Sequence, residues 1–333
     1  ALSAVADVYG RRHHHLYPAR AVFSSLPDAQ ISANSGQLTG MFTSSLRFNQ
    51  LTFALATPAQ HPQVLALVHN ARVRLIQFGR TTLALPNANL RMAVAWHHAK
   101  PVATLIATTT QPNCAWIRCC ALDGVHLADH QLVLAQLATV LVQTSGVATF
   151  YYSSDHYDHW LADILVDVGF TIRGGIVVFE RPARLAVTTP NVVAQLRPIS
   201  ISDIPTLQSI DYSVFESKWH KTAFEINELF LDEHYGMLAI RDDSAVGYVL
   251  TAIHDYQTTL HIVRIAVHPH WQGRGIAKQL LADVILHAQR SSVQRISLNT
   301  QATNHVAQRL YTRFGFVQTS DQYQIYAMDH HSD

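Results

Sequence analysis

His261-Ile262-Val263-Arg264-Ile265-Ala266-Val267-His268-Pro269-His270-Trp271-Gln272-Gly273-Arg274-Gly275-Ile276-Ala277 passes from an alternating apolar run, through a Pro/Gly loop, into an apolar-periodic segment. Read by period, it is a strand, a loop and the start of a helix. A turn that aims main-chain N–H groups from a helix N-terminus makes an anion site, because the first helical donors lack acceptors and the macrodipole is positive there. Gly273 and Gly275 keep side chains away from an approaching phosphate, Ala277 is small, and Arg274 adds a cation. Two glycines before a helix also make an ordinary tight turn, so the loop alone leaves both readings open. It is not a dinucleotide fingerprint, since GxGxxG is absent, and it is not a P-loop, since GxxxxGK[ST] is missing.

A second constellation follows downstream: Asn304-His305-Val306-Ala307-Gln308-Arg309-Leu310-Tyr311-Thr312-Arg313-Phe314-Gly315-Phe316. Gln272-x-x-Gly275-x-Ala277 resembles the (Arg/Gln)-x-x-Gly-x-(Gly/Ala) signature of the GCN5-related N-acetyltransferases. Asn304, Ala307, Leu310-Tyr311 and Gly315-Phe316 resemble that family's next motif, in family order and spacing. The resemblance covers roughly residues 193 to 329, and Leu196-Arg197-Pro198 with Asp203-Ile204-Pro205 looks like the usual family opening.

The resemblance implies a coenzyme A thioester, acetyl-CoA, as co-substrate. It implies a diphosphate on the loop from Gln272 through Gly273, Arg274, Gly275 and Ile276 to Ala277. It also implies a pantetheine arm paired like an added strand with the backbone of Ile265, Ala266 and Val267. In the family that strand splays from the next one, here Arg295 to Leu298, and a bulge would be the physical means. Asn304 resembles a cofactor contact, although a residue of its type before a helix also serves as a cap. Tyr311 matches the family's general acid: a phenol of pKa near ~10 is protonated at neutral pH and can supply the departing thiolate, whose parent thiol sits near ~8.5.

Removing the acceptor's proton is the harder assignment. An alkylammonium of pKa ~10.4 is free amine in about one molecule in 2,500 at pH 7, a penalty of roughly 4.6 kcal/mol. Some relatives carry an acidic residue where this chain has His261, and an imidazole there could accept a proton directly or through water. Glu216, Asp211 and ordered water are the alternatives. The expected reaction is acetyl transfer to a primary amine, of a small molecule or a peptide, by direct attack in a ternary complex. A non-catalytic acyl-CoA sensor and a tandem transferase using a larger acyl donor are the rival readings.

Working outward, the segment order repeats at an offset of roughly 145 residues, the mark of a duplication. Arg91 to His97 with Pro101 to Thr109 matches the hairpin Met237 to Arg241 with Ala245 to Ile253, and Gly169-Phe170 matches Gly315-Phe316. The fold class expected is α/β, a mixed sheet of two tandem acetyltransferase-like units. The unit at 46–182 reads as degenerate, the unit at 191–330 as catalytic, and 1–45 stays unassigned. Arg181 to Pro190 reads as the linker. In the first copy the loop Asp123 to His130 carries one glycine and two acids, Leu165 stands at the place of Tyr311, and Asp158 at that of Asn304.

Composition sets the outer bounds. The chain has 333 residues, 48% of them hydrophobic and 14% charged, which excludes a disordered chain and a coiled coil. With 24 Lys plus Arg against 23 Asp plus Glu, no broad field draws nucleic acid or an anionic membrane, and neither is an expected partner. Cys114, Cys119 and Cys120 form no regular disulfide framework, and no apolar run approaches the ~20 residues of a membrane helix. The opening ALSAVADVYGRRHHH lacks the basic-then-apolar order of a secretion signal, so the expectation is a cytoplasmic monomer or homodimer. The 21 histidines, His13 to His15 included, come without HExxH or a Cys/His ladder, and no metal site is expected.

Overall fold

The computed structural model describes residues 3–5, 45–77, 89–154, 158–231, 235–254 and 258–330. His13 to His15, and nearly all of 1–45, lie outside them. The strand β1 (Ser3–Val5) comes first in the chain. The first copy contains β2 (Thr52–Leu55), α1 (His61–Asn70), β3 (Val73–Ile76), β4 (Leu90–His97), β5 (Lys100–Gln111), β6 (Cys114–Leu122), α2 (His130–Thr144), β7 (Thr149–Ser154), α3 (His159–Val168) and β8 (Thr171–Pro182). The second contains β9 (Gln195–Pro198), α4 (Ile204–Val214), α5 (Ala223–Leu231), β10 (Gly236–Arg241), β11 (Ser244–His254), β12 (Thr259–Val267), α6 (Ile276–Arg290), β13 (Arg295–Gln301), α7 (His305–Arg313) and β14 (Val317–Asp329). No helix among the described residues is long and apolar enough to cross a membrane.

Among the described residues the strands form one 14-stranded sheet in the order β2-β4-β5-β6-β7-β14-β8-β13-β12-β11-β10-β9, with β3 on β6 and β1 on β12 beside that path. The mixed α/β class holds, and the order adds something the repeat did not disclose. Each copy gives its closing strand to the other: β14 pairs antiparallel with β7, and β8 pairs antiparallel with β13. The two exchanged strands also pair with each other, from Val317↔Glu180 to Ala327↔Thr171. Units contiguous in sequence are thus interlocked in space. Arg181 and Pro182, expected in the linker, instead finish β8 opposite Ile296 and Arg295. Proline suits this last position because a strand end can do without its donor.

Strand alternation sorts the core onto the two faces. Leu260, Ile262, Ile265 and Val267 of β12 pack under α6 and α7 with Leu280, Leu281, Leu310 and Tyr311. Ala266, with Tyr248 and Leu250 of β11, packs on the other face under α4 with Leu207, Ile210 and Trp219. That second cluster also holds Trp116 of the first copy, whose indole N–H donates to the Lys218 carbonyl at 2.8 Å and whose ring lies 4.8 Å from that of Trp219. The first copy therefore buttresses the segment that roofs this face of the second.

Candidate functional site

β12 and β13 run parallel only from Thr259↔Arg295 to Ile262↔Leu298. Beyond that pair they part. The register of β12 against β11 slips between Leu250↔Arg264 and Thr251↔Ile262, so Val263 is an extra residue, a bulge that turns the rest of β12 away from β13. The freed edge runs through Ile265, Ala266 and Val267. β1 lies along it, Ser3 opposite Ala266 and Val5 opposite Arg264.

At the end of β12, Gln272 donates from Nε2 to the Val267 carbonyl at 2.9 Å and so ties the loop to the strand. Gly273 and Gly275 have φ of 75° and 91°, left-handed values that disfavour a Cβ. Gly275 is the N-cap of α6, whose first main-chain bond is Gln279 N–H to the Gly275 carbonyl at 3.0 Å. The amides of Ile276 and Ala277, ahead of that bond, have no acceptor within the helix. A cleft of about 170 Å³ opens there between α6 and α7. Val267, Gln272, Gly273, Gly275, Ile276 and Ala277 line one side, with Lys278; Val306, Arg309, Leu310 and Arg313 line the other. Arg274 does not line it and stacks on Trp271 at 4.8 Å. Lys278, Arg309 and Arg313 were not singled out in the sequence, although Arg309 and Arg313, four apart on one helix, necessarily share a face.

Tyr311, the residue after the cleft-lining Leu310 on α7, is buried at 1% exposure. Burial pushes its phenol well above the ordinary tyrosine value. Asn304 caps α7, its Oδ1 accepting from the Ala307 N–H at 3.2 Å. His261 is buried and its Nδ1 lies 2.8 Å from Ser297 Oγ, its register neighbour on β13. Because His261 alternates with Leu260 and Ile262, it faces α4, whereas Tyr311 lies on the α6/α7 face. The two approach the split from opposite faces. Asp211 is not available as a base: its carboxylate accepts from Arg264 at 2.8 and 3.0 Å, from the Tyr248 hydroxyl at 2.9 Å and from the Lys221 N–H at 3.1 Å. Glu216 stands at the surface in an ion pair with Lys218.

The first copy keeps the same bulge and closes the same split. β5 and β6 slip register between Ile106↔Cys119 and Ala107↔Ile117, leaving Arg118 extra, and β6 pairs with β7 only from Cys114 to Trp116. There β3 fills the opening, Val73 to Ile76 pairing with Leu122 to Cys119. Gln77 then seals it, its N–H donating to the Arg118 carbonyl and its Nε2 to the Ser153 carbonyl, both at 2.7 Å. Asp158, at the place of Asn304, accepts from Ser154 Oγ at 2.7 Å. Burial pushes the Cys120 thiol up to about 12 and Cys119 well up too, so both stay protonated and unreactive near neutrality.

Comparison with known proteins gives this geometry its context. Residues 203–316 match the family model described as the Acetyltransferase (GNAT) family. A putative [ribosomal protein bS18]-alanine N-acetyltransferase of Bacillus subtilis is 30% identical over 125 residues, which are 37% of this chain and 80% of that protein. The chain belongs to the GNAT family. A rat N-acetylaspartate synthetase shares 32% over 88 residues, 26% of this chain and 29% of that protein. Across both copies, a tandem GNAT protein from the clavulanic acid biosynthesis pathway superposes with a TM-score of 0.53 at 14% identity, covering 85% of this chain and all of that one. At that identity the likeness speaks for the GNAT fold alone.

Proposed function

We propose that residues 191–330 form an acetyl-CoA-dependent N-acetyltransferase acting on an α-amine, and that residues 46–182 are a degenerate copy that holds no cofactor. The observation that carries this reading is the split between β12 and β13, which runs directly into a glycine loop and a cleft ringed by Lys278, Arg309 and Arg313. The freed edge of Ile265 to Val267 suits an extended amide-bearing arm, and the loop amides with three cations suit a diphosphate. β1 must leave that edge for the arm to pair. Acetyl-CoA would bring an acetyl group already activated as a thioester.

The α-amine is favoured because the bS18-alanine enzyme is named for an alanine and the rat enzyme for N-acetylaspartate; alanine and aspartate each carry one amine, beside a carbonyl. The amine sheds one proton, to His261 or to water, and attacks the acyl carbon; the C–N bond forms as C–S breaks. The second amine proton is lost as the amide forms, while Tyr311 protonates the leaving thiolate and is reprotonated in turn. All three cysteines lie in the first copy, so direct attack is expected rather than an acyl-cysteine.

Calorimetry should show one acetyl-CoA bound per chain, and thiol release should follow on addition of a peptide with a free N-terminal amine. Two sites per chain would refute the closed first copy, and tight binding without turnover on any amine would mark a sensor. Gly275→Ala tests the loop. Its Cβ would meet nothing nearer than Val193 at 3.7 Å, so the strain comes from the left-handed backbone alone. A cost of about 1–2 kcal/mol should weaken acetyl-CoA binding roughly 5–30-fold with little change in turnover at saturation.

A further inference from the structure

Ser297 and Asn299 stand two apart on β13 and alternate with Ile296 and Leu298, which belong to the core under α6 and α7. Both therefore face α4, as His261 does. The last β12–β13 pair is Ile262↔Leu298, so Asn299 is the first residue of this face with β12 no longer beside it; on the other side it pairs with Val178 of β8. His261 and Ser297 satisfy one another at 2.8 Å. Asn299, 2% exposed, has a buried Nδ2 with no hydrogen-bond partner among the described residues.

A buried amide N–H left unpaired is destabilising, and native chains keep such groups where something else completes them. What completes an N–H is an oxygen. The acyl arm, paired along β12, keeps to the far side of the split, whereas Asn299 borders it on the face shared with His261, the candidate acceptor of the amine's proton. We infer that Asn299 donates to the carbonyl or carboxylate oxygen next to the attacking amine. It is thus the residue that selects α-amino acyl acceptors over amines lacking that oxygen. This rests on the acetyltransferase reading above.

The test compares alanine, alaninamide and 2-aminopropane as acceptors for the wild-type chain and for Asn299→Val, which keeps the bulk and loses the donor. Losing one hydrogen bond to substrate should raise KM for alanine and alaninamide about tenfold, leaving KM for acetyl-CoA and the rate on 2-aminopropane within about twofold. Asn299→Ser, which can still donate, should recover part of the loss. Alanine against alaninamide distinguishes a carboxylate from an amide carbonyl as the group read. Equal loss on all three acceptors, a raised KM for acetyl-CoA, or acetyl-CoA binding with no turnover of either carbonyl acceptor would overturn the inference. Absence of acetyl-CoA binding by the wild type would instead overturn the reading beneath it.

Discussion

Tyr311→Phe should lower kcat by about 10²-fold or more while leaving acetyl-CoA affinity unchanged, the signature of a lost general acid rather than a lost contact. The ring already has a fixed seat, 6.1 Å from Phe179 and 6.1 Å from Phe316, and phenylalanine would keep both contacts. Burial alone shifts the hydroxyl, with no hydrogen bond contributing, so its removal should strand no buried group and alter stability little. Burial raises the pKa, which for a phenol extends the protonated, donating form upward in pH. A fall in activity on the alkaline side must then come from another group, and the profiles of wild type and variant should share that limb. Thiol release at saturating acetyl-CoA measures the effect; a variant with undiminished kcat would remove Tyr311 from the chemistry. Phe179 lies on β8, a strand of the first copy, so the exchange of closing strands places part of that copy against the proposed acid.

The loop was legible in the sequence because its physics is local. Gly273 and Gly275 both take left-handed backbone within one turn, next to an apolar-periodic run, and that strand-loop-helix pattern is read without any distant neighbour. The helix bearing Asn304 and Tyr311 was legible for the same reason. The strand exchange was not. β8 and β14 occupy equivalent places in the two copies, and alternation says which face a residue takes but not which neighbour a strand takes. Nor did anything mark β3 as the filler of the first split: four residues, Val73 to Ile76, carry too short a pattern to reveal a partner some forty-five residues away. Asp211 is an alternative proton acceptor by sequence, and only the fold brings Arg264, fifty-three residues on, against it. Asn299 gave no signal either, since an asparagine in a strand is noticed only when its amide proves buried and unpaired.

Asp211→Ala is expected to destabilise the chain by about 3–5 kcal/mol, the cost of leaving a buried guanidinium without its carboxylate. Arg264 and Asp211 side chains are 1% and 0% exposed, so no solvent rescues the orphaned charge. The guanidinium also lies 3.6 Å from the Phe215 ring centroid and donates to the Trp219 carbonyl, and Tyr248 loses its acceptor at the same stroke. The wild-type pair itself need not stabilise much, because taking two ions out of water offsets most of their attraction. The test therefore needs the double variant Asp211→Leu with Arg264→Met, which removes both charges and fills the space. Denaturant unfolding should place it well above the single variant. Near-equal stability of wild type and Asp211→Ala would mean that water reaches Arg264. The functional consequence separates this pair from the proposed acid: it fastens α4 and the Trp219 segment to β12 one residue past the bulge, so breaking it should loosen the face on which the acceptor is proposed to enter. KM for the amine should then rise in Asp211→Ala while the anion loop, built on the opposite helix layer, keeps its affinity for acetyl-CoA.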